Sequence, residues 1–169
     1  TKFKTRFACE VKDFDPTTYL EKKEARKIDR YCQFALIASD EAVKDAGITK
    51  DNINPDRVGV IFASGIGGLI TFQEEVINFA SGDGTPRFNP FFIPKMILDI
   101  AAGQISIRNG FRGPNFAVVS ACASSTNAII DAFDTIRLNK ADIIITGGSE
   151  AVISAAGVGG FNAMKALSE

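Results

Sequence analysis

The 169-residue sequence contains no histidine and only three cysteines. Without an imidazole, this chain alone cannot build a Cys-His or Ser-His pair, a His-ligated metal site or an imidazole proton shuttle. Any chemistry must use another general base, or groups supplied by sequence outside this chain. The cysteines, Cys9, Cys32 and Cys122, are odd in number, and their spacing fits neither a zinc site nor a disulfide framework. Neither sign of charge is in excess: 19 basic residues face 20 acidic ones, for a net charge of -1. That balance argues against a general nucleic-acid binder or a binder of anionic membranes. No apolar run reaches the roughly 18 residues of a membrane span. Runs such as Ile143-Ile144-Ile145 are short enough for buried strands. With no signal-peptide pattern at its start, the chain is expected to be cytoplasmic. Repeats and low-complexity tracts are also missing.

What is present reads as one α/β unit. At 46% apolar and 23% charged residues, the composition is that of a soluble globular domain able to bury a sizeable core. Three apolar, β-branched runs predict buried parallel strands at Arg57 to Ala63, Asn115 to Ser120 and Ala141 to Thr146. Helical periodicity lies between and around them. One pattern runs from about Tyr19 to Ala46, with Gly47 as its C-cap, and others cover Leu69 to Ala80 and Pro94 or Lys95 to Arg108. A fourth helix is predicted over Ala121 to Leu138, with Ala128, Ile129, Ala132, Phe133 and Ile136 on one face, and a short one near Phe161 to Leu167. Thr1 to Val11 alternates polar and apolar residues, as an edge strand or connecting segment does. Strands alternating with helices predict a largely parallel sheet.

Cys122 stands where the second strand runs into a helix. Free backbone N–H groups and the helix dipole favour an anion there, so a thiolate is a better populated nucleophile, and the same N–H groups can stabilise an oxyanion. Ala123, Ser124 and Ser125 are small enough to let a substrate approach. The alternative is a buried small hydrophobe at a tight turn. Cys32 lies on the apolar stripe of its helix and reads as core. The Ser64 to Gly68 turn fails the G-x-G-x-x-G pattern, because Ile70 occupies the third glycine position, and reads instead as a tight strand-to-helix crossover. Spacings of three and four place Lys23, Arg26, Lys27 and Arg30 largely on one helical face. This face is either solvated and balanced by Glu21, Glu24 and Asp29, or a docking patch for an acidic partner.

The run Val119-Ser120-Ala121-Cys122-Ala123-Ser124-Ser125 resembles the nucleophile segment of the β-ketoacyl-acyl carrier protein synthases. Further segments agree in order: KKEARKIDR (22–30), SGIGG (64–68), NPFFIP (89–94), NGFRGPN (109–115), ITGGSEA (145–151) and GVGGFNAMKALS (157–168). The set looks most like the synthase II branch, the elongating condensing enzymes of type II fatty-acid synthesis. The resemblance implies the thiolase fold, in which two βαβαβ-type halves stack as α/β/α/β/α layers, and a homodimer. This chain would supply most of the first half without its opening strand; the second half, with two catalytic histidines and a lysine, would lie elsewhere.

The resemblance also assigns roles residue by residue. Cys122 aligns with the acyl-accepting nucleophile, with its N–H in the oxyanion hole. Ile66 and Phe92 align with the acyl-chain pocket near the dimer interface. Lys23, Arg26 and Lys27 align with the patch that docks the acidic acyl carrier protein, and Phe116 to Ser120 with the strand that pairs across the dimer. The implied reaction is decarboxylative condensation with malonyl carrier protein. It needs no metal or organic cofactor of the enzyme, since phosphopantetheine arrives on the carrier. A polyketide ketosynthase, a thiolase acting on coenzyme A esters, and a non-catalytic partner subunit of the same fold remain alternatives.

Overall fold

A computed structural model describes residues 2–168; Thr1, where the predicted edge strand or connecting segment begins, and Glu169 lie outside them. Three strands form one parallel sheet: β1 (Val58–Ala63), β2 (Asn115–Val118) and β3 (Ile143–Gly148), in the order β2-β1-β3. Ala63 of β1 pairs with Val118 of β2 on one side and with Gly148 of β3 on the other. All six residues of β1 are buried. This is what an uninterrupted β-branched run in the centre of a parallel sheet requires, because helices cover both faces.

The two faces of β1 divide between two cores. Val58, Val60 and Phe62 pack with Tyr31, Cys32, Ala35 and Leu36 of α2 (Arg30–Asp45) and with α5 (Ile100–Asn109). Ile61 and Ala63 meet Ala128 and Ala132 of α6 (Ser124–Arg137) on the other side. The predicted apolar face of α6 is therefore corrected. Its alanines enter the core, since only small side chains fit so close to the sheet, whereas Ile129, Phe133 and Ile136 are turned outward and at least 42% exposed.

Two predicted helices are broken, the first at a side-chain cap and the second by long-range hydrogen bonds. The first divides into α1 (Lys22–Ala25) and α2. Asp29 adopts an extended conformation and accepts from the Tyr31 N–H, capping α2. The third divides into α4 (Phe92–Met96) and α5. Here the Met96 carbonyl accepts from Gly68 N–H, and the Ile97 carbonyl accepts from the Tyr31 hydroxyl at 2.6 Å. Carbonyls engaged in this way are not continuing a helical ladder. Helix α3 (Leu69–Ala80) follows the 64–68 turn as predicted. The last helix, α7 (Ala155–Ala163), begins earlier than its sequence pattern suggests, because the Ser154 hydroxyl oxygen accepts from Gly157 N–H. Residues 2–11 form no strand. They cross near α7 instead, where the Thr5 hydroxyl donates to Asn162.

Candidate active site

In a parallel α/β sheet, sites form beyond the carboxyl ends of the strands, where neighbouring strands connect in opposite directions. The order β2-β1-β3 makes the C-terminal end of β1 such a point. Three segments meet there: the 64–68 turn after β1, the 119–123 bend after β2, and the 149–152 loop after β3. They enclose a cavity of about 550 Å³ that includes Cys122, Ile66, Ser125, Gly148 and Glu150 in its wall.

Cys122 lies in a single 3-10 turn, Ala121–Ala123, and α6 starts at Ser124. The expected helix start at Ala121 is corrected by three residues. β2 ends early for the same reason: Val119 and Ser120 already bend away from the ladder. Ala121 has φ +51°, a left-handed conformation that costs a non-glycine residue about 1 kcal/mol or more. Side-chain hydrogen bonds offset that cost. The Ser124 hydroxyl donates to the Ala121 carbonyl at 2.7 Å and accepts from Ser120 N–H at 2.8 Å, while Asn127 donates to the Ser120 hydroxyl oxygen at 2.7 Å. The result is a braced elbow with Cys122 exposed on the cavity. The Cys122 N–H has no acceptor among the described residues.

Opposite the elbow, Glu150 is held by the 64–68 turn. Its carboxylate accepts from Gly65 N–H at 2.8 Å, Ile66 N–H at 2.9 Å and the Ser64 hydroxyl at 3.0 Å. Gly148 is where the β3 end approaches the elbow: a Cβ there would collide with the Ser125 hydroxyl. Gly68 likewise has no room for a side chain, because a Cβ would meet the Lys95 carbonyl. The turn is thus a close-packed crossover, as its glycines predict.

The structure brings together Cys122 and Ile66 but not Phe92. Ile66 is 40% exposed and lines the cavity. Phe92 begins α4, away from the cavity wall, with its ring centroid 6.2 Å from Phe72 and 5.5 Å from Phe88. Sequence reasoning missed Glu150, Ser64 and Val152 as cavity residues. Their signal was positional: each follows the carboxyl end of β1 or β3. Cys32 is buried core, and burial pushes its thiol up to about 12, with the Asp29 charge adding to the effect. Among the described residues, no group of three or more His, Cys, Asp or Glu side chains could hold a metal ion.

The basic residues lie apart from this cavity. Lys23, Arg26 and Lys27 are exposed on and just after α1. Arg30 does not share their face, contrary to the helical spacing, because the helix is interrupted between them. Its guanidinium lies 5.0 Å from the Phe14 ring and 5.2 Å from the Phe34 ring, and donates to the Val11 carbonyl. Two of the three acids expected to balance the patch are engaged elsewhere. Glu24 binds Arg108 at 3.0 Å, and Asp29 is buried against Thr71. No helix among the described residues is long and apolar enough to cross a membrane.

Known proteins with this pattern are consistent with one another. The chain is 45% identical over 167 residues to a 3-oxoacyl-[acyl-carrier-protein] synthase 2 of Staphylococcus aureus, covering 98% of this chain and 40% of the relative. It is 42% identical over 163 residues to the synthase of the same name from Synechocystis sp., covering 96% and 39%. The chain therefore spans about two fifths of the length of the curated relatives it matches. A crystal structure of a β-ketoacyl synthase from Burkholderia phymatum superposes with TM-score 0.80 at 26% identity, over 99% of this chain and 41% of that one. A type II polyketide synthase acyl-carrier protein in complex with its ketosynthase superposes with TM-score 0.80 at 23% identity, over 90% and 44%, a likeness of fold alone. The thiolase-type fold expected from the sequence is the fold found. All of residues 1–169 match the family described as β-ketoacyl synthase, N-terminal domain, and the chain belongs to that family.

Proposed function

We propose that this chain is the nucleophile-bearing half of a β-ketoacyl-acyl carrier protein synthase that lengthens acyl chains by two carbons. The observation that carries this reading is the Cys122 elbow: an exposed thiol on a braced left-handed turn, at the switch point of a parallel sheet, facing a cavity bounded by Ile66. The Cys122 sulfur attacks the thioester carbonyl of an acyl chain on its carrier. The tetrahedral oxyanion accepts from the Cys122 N–H, and the carrier's thiolate leaves. Malonyl carrier protein then loses carbon dioxide, and its carbanion attacks the acyl-enzyme carbonyl. The Cys122 thiolate is expelled, and the product is two carbons longer. Thioester exchange suits a cysteine because one thiolate replaces another of similar energy. Groups that stabilise the enolate come from the remaining protein, because this chain has no histidine.

Exposed Lys23, Arg26 and Lys27 form the docking surface for the acidic carrier, with Glu24 drawn away by Arg108. The carrier brings its own phosphopantetheine, so the enzyme needs no cofactor. The outward face of α6, with Ile129 and Phe133 more than half exposed, suits coverage by the second half of the protein. β2 lies at an edge of the sheet with Phe116 exposed, as a strand pairing across a homodimer requires. A cytoplasmic enzyme fits these substrates. An exposed cysteine on an open cavity favours this reading over a non-catalytic partner subunit.

The test is mass spectrometry of the full-length protein after incubation with acyl carrier protein thioesters. An acyl adduct on the Cys122 peptide, discharged by malonyl carrier protein to a product two carbons longer, is the expected result. An adduct on another residue, or none, refutes the assignment.

A further inference from the structure

Resting on that reading, we propose that Glu150 is a positioning residue that sets acyl-length preference by holding Ile66 as a partition in the acyl-binding space. Ile66 lines the Cys122 cavity and also a smaller hollow of about 210 Å³ against α7, which Leu69 and Gly157 help to form. Phe161 and Met164 border both spaces. Whether an acyl chain bound at Cys122 can extend into the hollow depends on where the Ile66 side chain stands.

Its backbone is held by Glu150. The carboxylate accepts from the N–H groups of Gly65 and Ile66 and from the Ser64 hydroxyl, whose oxygen in turn accepts from Gly67 N–H at 3.0 Å. One carboxylate thus reaches three consecutive residues of the turn and, through Ser64, a fourth. Its own backbone is fixed on both sides. Ser149 N–H donates to the Ala63 carbonyl and its hydroxyl to the Tyr31 carbonyl at 2.7 Å, while Ala151 is buried in the core. The turn, the carboxylate and the elbow also converge: a Cβ at Gly65 would lie 2.8 Å from Glu150 and 3.6 Å from the carbonyl oxygen of Ala121, the residue before Cys122. No other side chain among the described residues accepts from the Gly65 or Ile66 N–H groups. Removing the carboxylate frees both amides and the partition with them.

The experiment compares wild type, Glu150→Ala, Glu150→Asp and Glu150→Gln in the full-length protein. Amide hydrogen exchange at Gly65 and Ile66 is read beside rates of Cys122 acylation by short and long acyl carrier thioesters. In Glu150→Ala both amides exchange faster, and the long-to-short ratio rises about tenfold, the scale on which pocket contacts discriminate chain length. Glu150→Gln keeps an oxygen for the two amides and stays near wild type in both readouts. Glu150→Asp, one methylene shorter, behaves like alanine and replaces it if the alanine protein does not fold. Ile66→Ala raises the ratio similarly, and adding Glu150→Ala to it gives no further rise. Freed amides with an unchanged ratio, or unchanged exchange in both short variants, overturns the proposal. Failure of the wild-type protein to acylate Cys122 at all would instead overturn the condensing function, and the exchange data would still decide whether Glu150 holds the turn.

Discussion

Thr71 donates to Asp29 twice, from its hydroxyl at 2.5 Å and its amide at 3.1 Å. The second carboxylate oxygen of Asp29 caps α2 through Tyr31 N–H. One buried side chain therefore joins the start of α2 to the first turn of α3. It also lies just beyond Lys27, at the end of the basic segment, and ties that segment to the helix that follows the Ile66 turn. Burial of a carboxylate is tolerable here because three donors replace its water.

Asp29→Ala leaves those three donors without an acceptor. The expected loss is about 2–4 kcal/mol, from one helix cap and two buried hydrogen bonds. Asp29→Asn, which keeps an acceptor oxygen, is expected to cost less. Urea denaturation of both variants checks the order, and equal losses would mean that the charge itself, rather than the acceptors, matters.

Cys122→Ala in the full-length protein is expected to abolish both acyl-enzyme formation and condensation, with unfolding midpoints close to wild type because the side chain is exposed. Alkylation mapping gives a companion result. Cys122 and Cys9 react in the native protein, and buried Cys32 reacts only after unfolding.

Charge reversal at Arg26 and Lys27 is expected to raise KM for carrier-bound substrate while sparing small thioester analogues, with the difference shrinking at high salt. Arg108→Gln tests the charge balance of the same surface. It releases Glu24 and Asp40 from the guanidinium, which now binds them at 3.0 Å and 2.8 Å. A smaller rise in the same KM is expected, reversed by adding Glu24→Gln. Equal losses with both substrate types would indicate a folding defect.

The Cys32 thiol is pushed from an ordinary 9.0 to about 12 by burial, so the folded state keeps its proton where the unfolded chain loses it. The associated stability is fully present below about pH 9 and is lost as pH rises toward 12. Burial raises the Tyr31 hydroxyl in the same direction. Denaturant unfolding between pH 8 and about 11 should show falling stability, with a shallower slope in Cys32→Ala.

Local pattern was enough to determine the three strands, the α/β class, the Gly47 helix end, and the Cys122 junction. Each is written in neighbouring residues as an apolar run, a glycine or a change of period. Motif order extended that reading to the family. Only the folded chain decided where helices break, since Asp29 meets Thr71, and Tyr31 meets Ile97, across 42 and 66 residues. It also decided that α6 buries alanines rather than its larger apolar residues, because the sheet lies too close for anything bulkier. Glu150 shows the difference most clearly. Its position after a glycine pair marks the end of β3, but its role as an acceptor depends on β1 and β3 pairing in parallel, which brings the 64–68 turn within reach of its carboxylate.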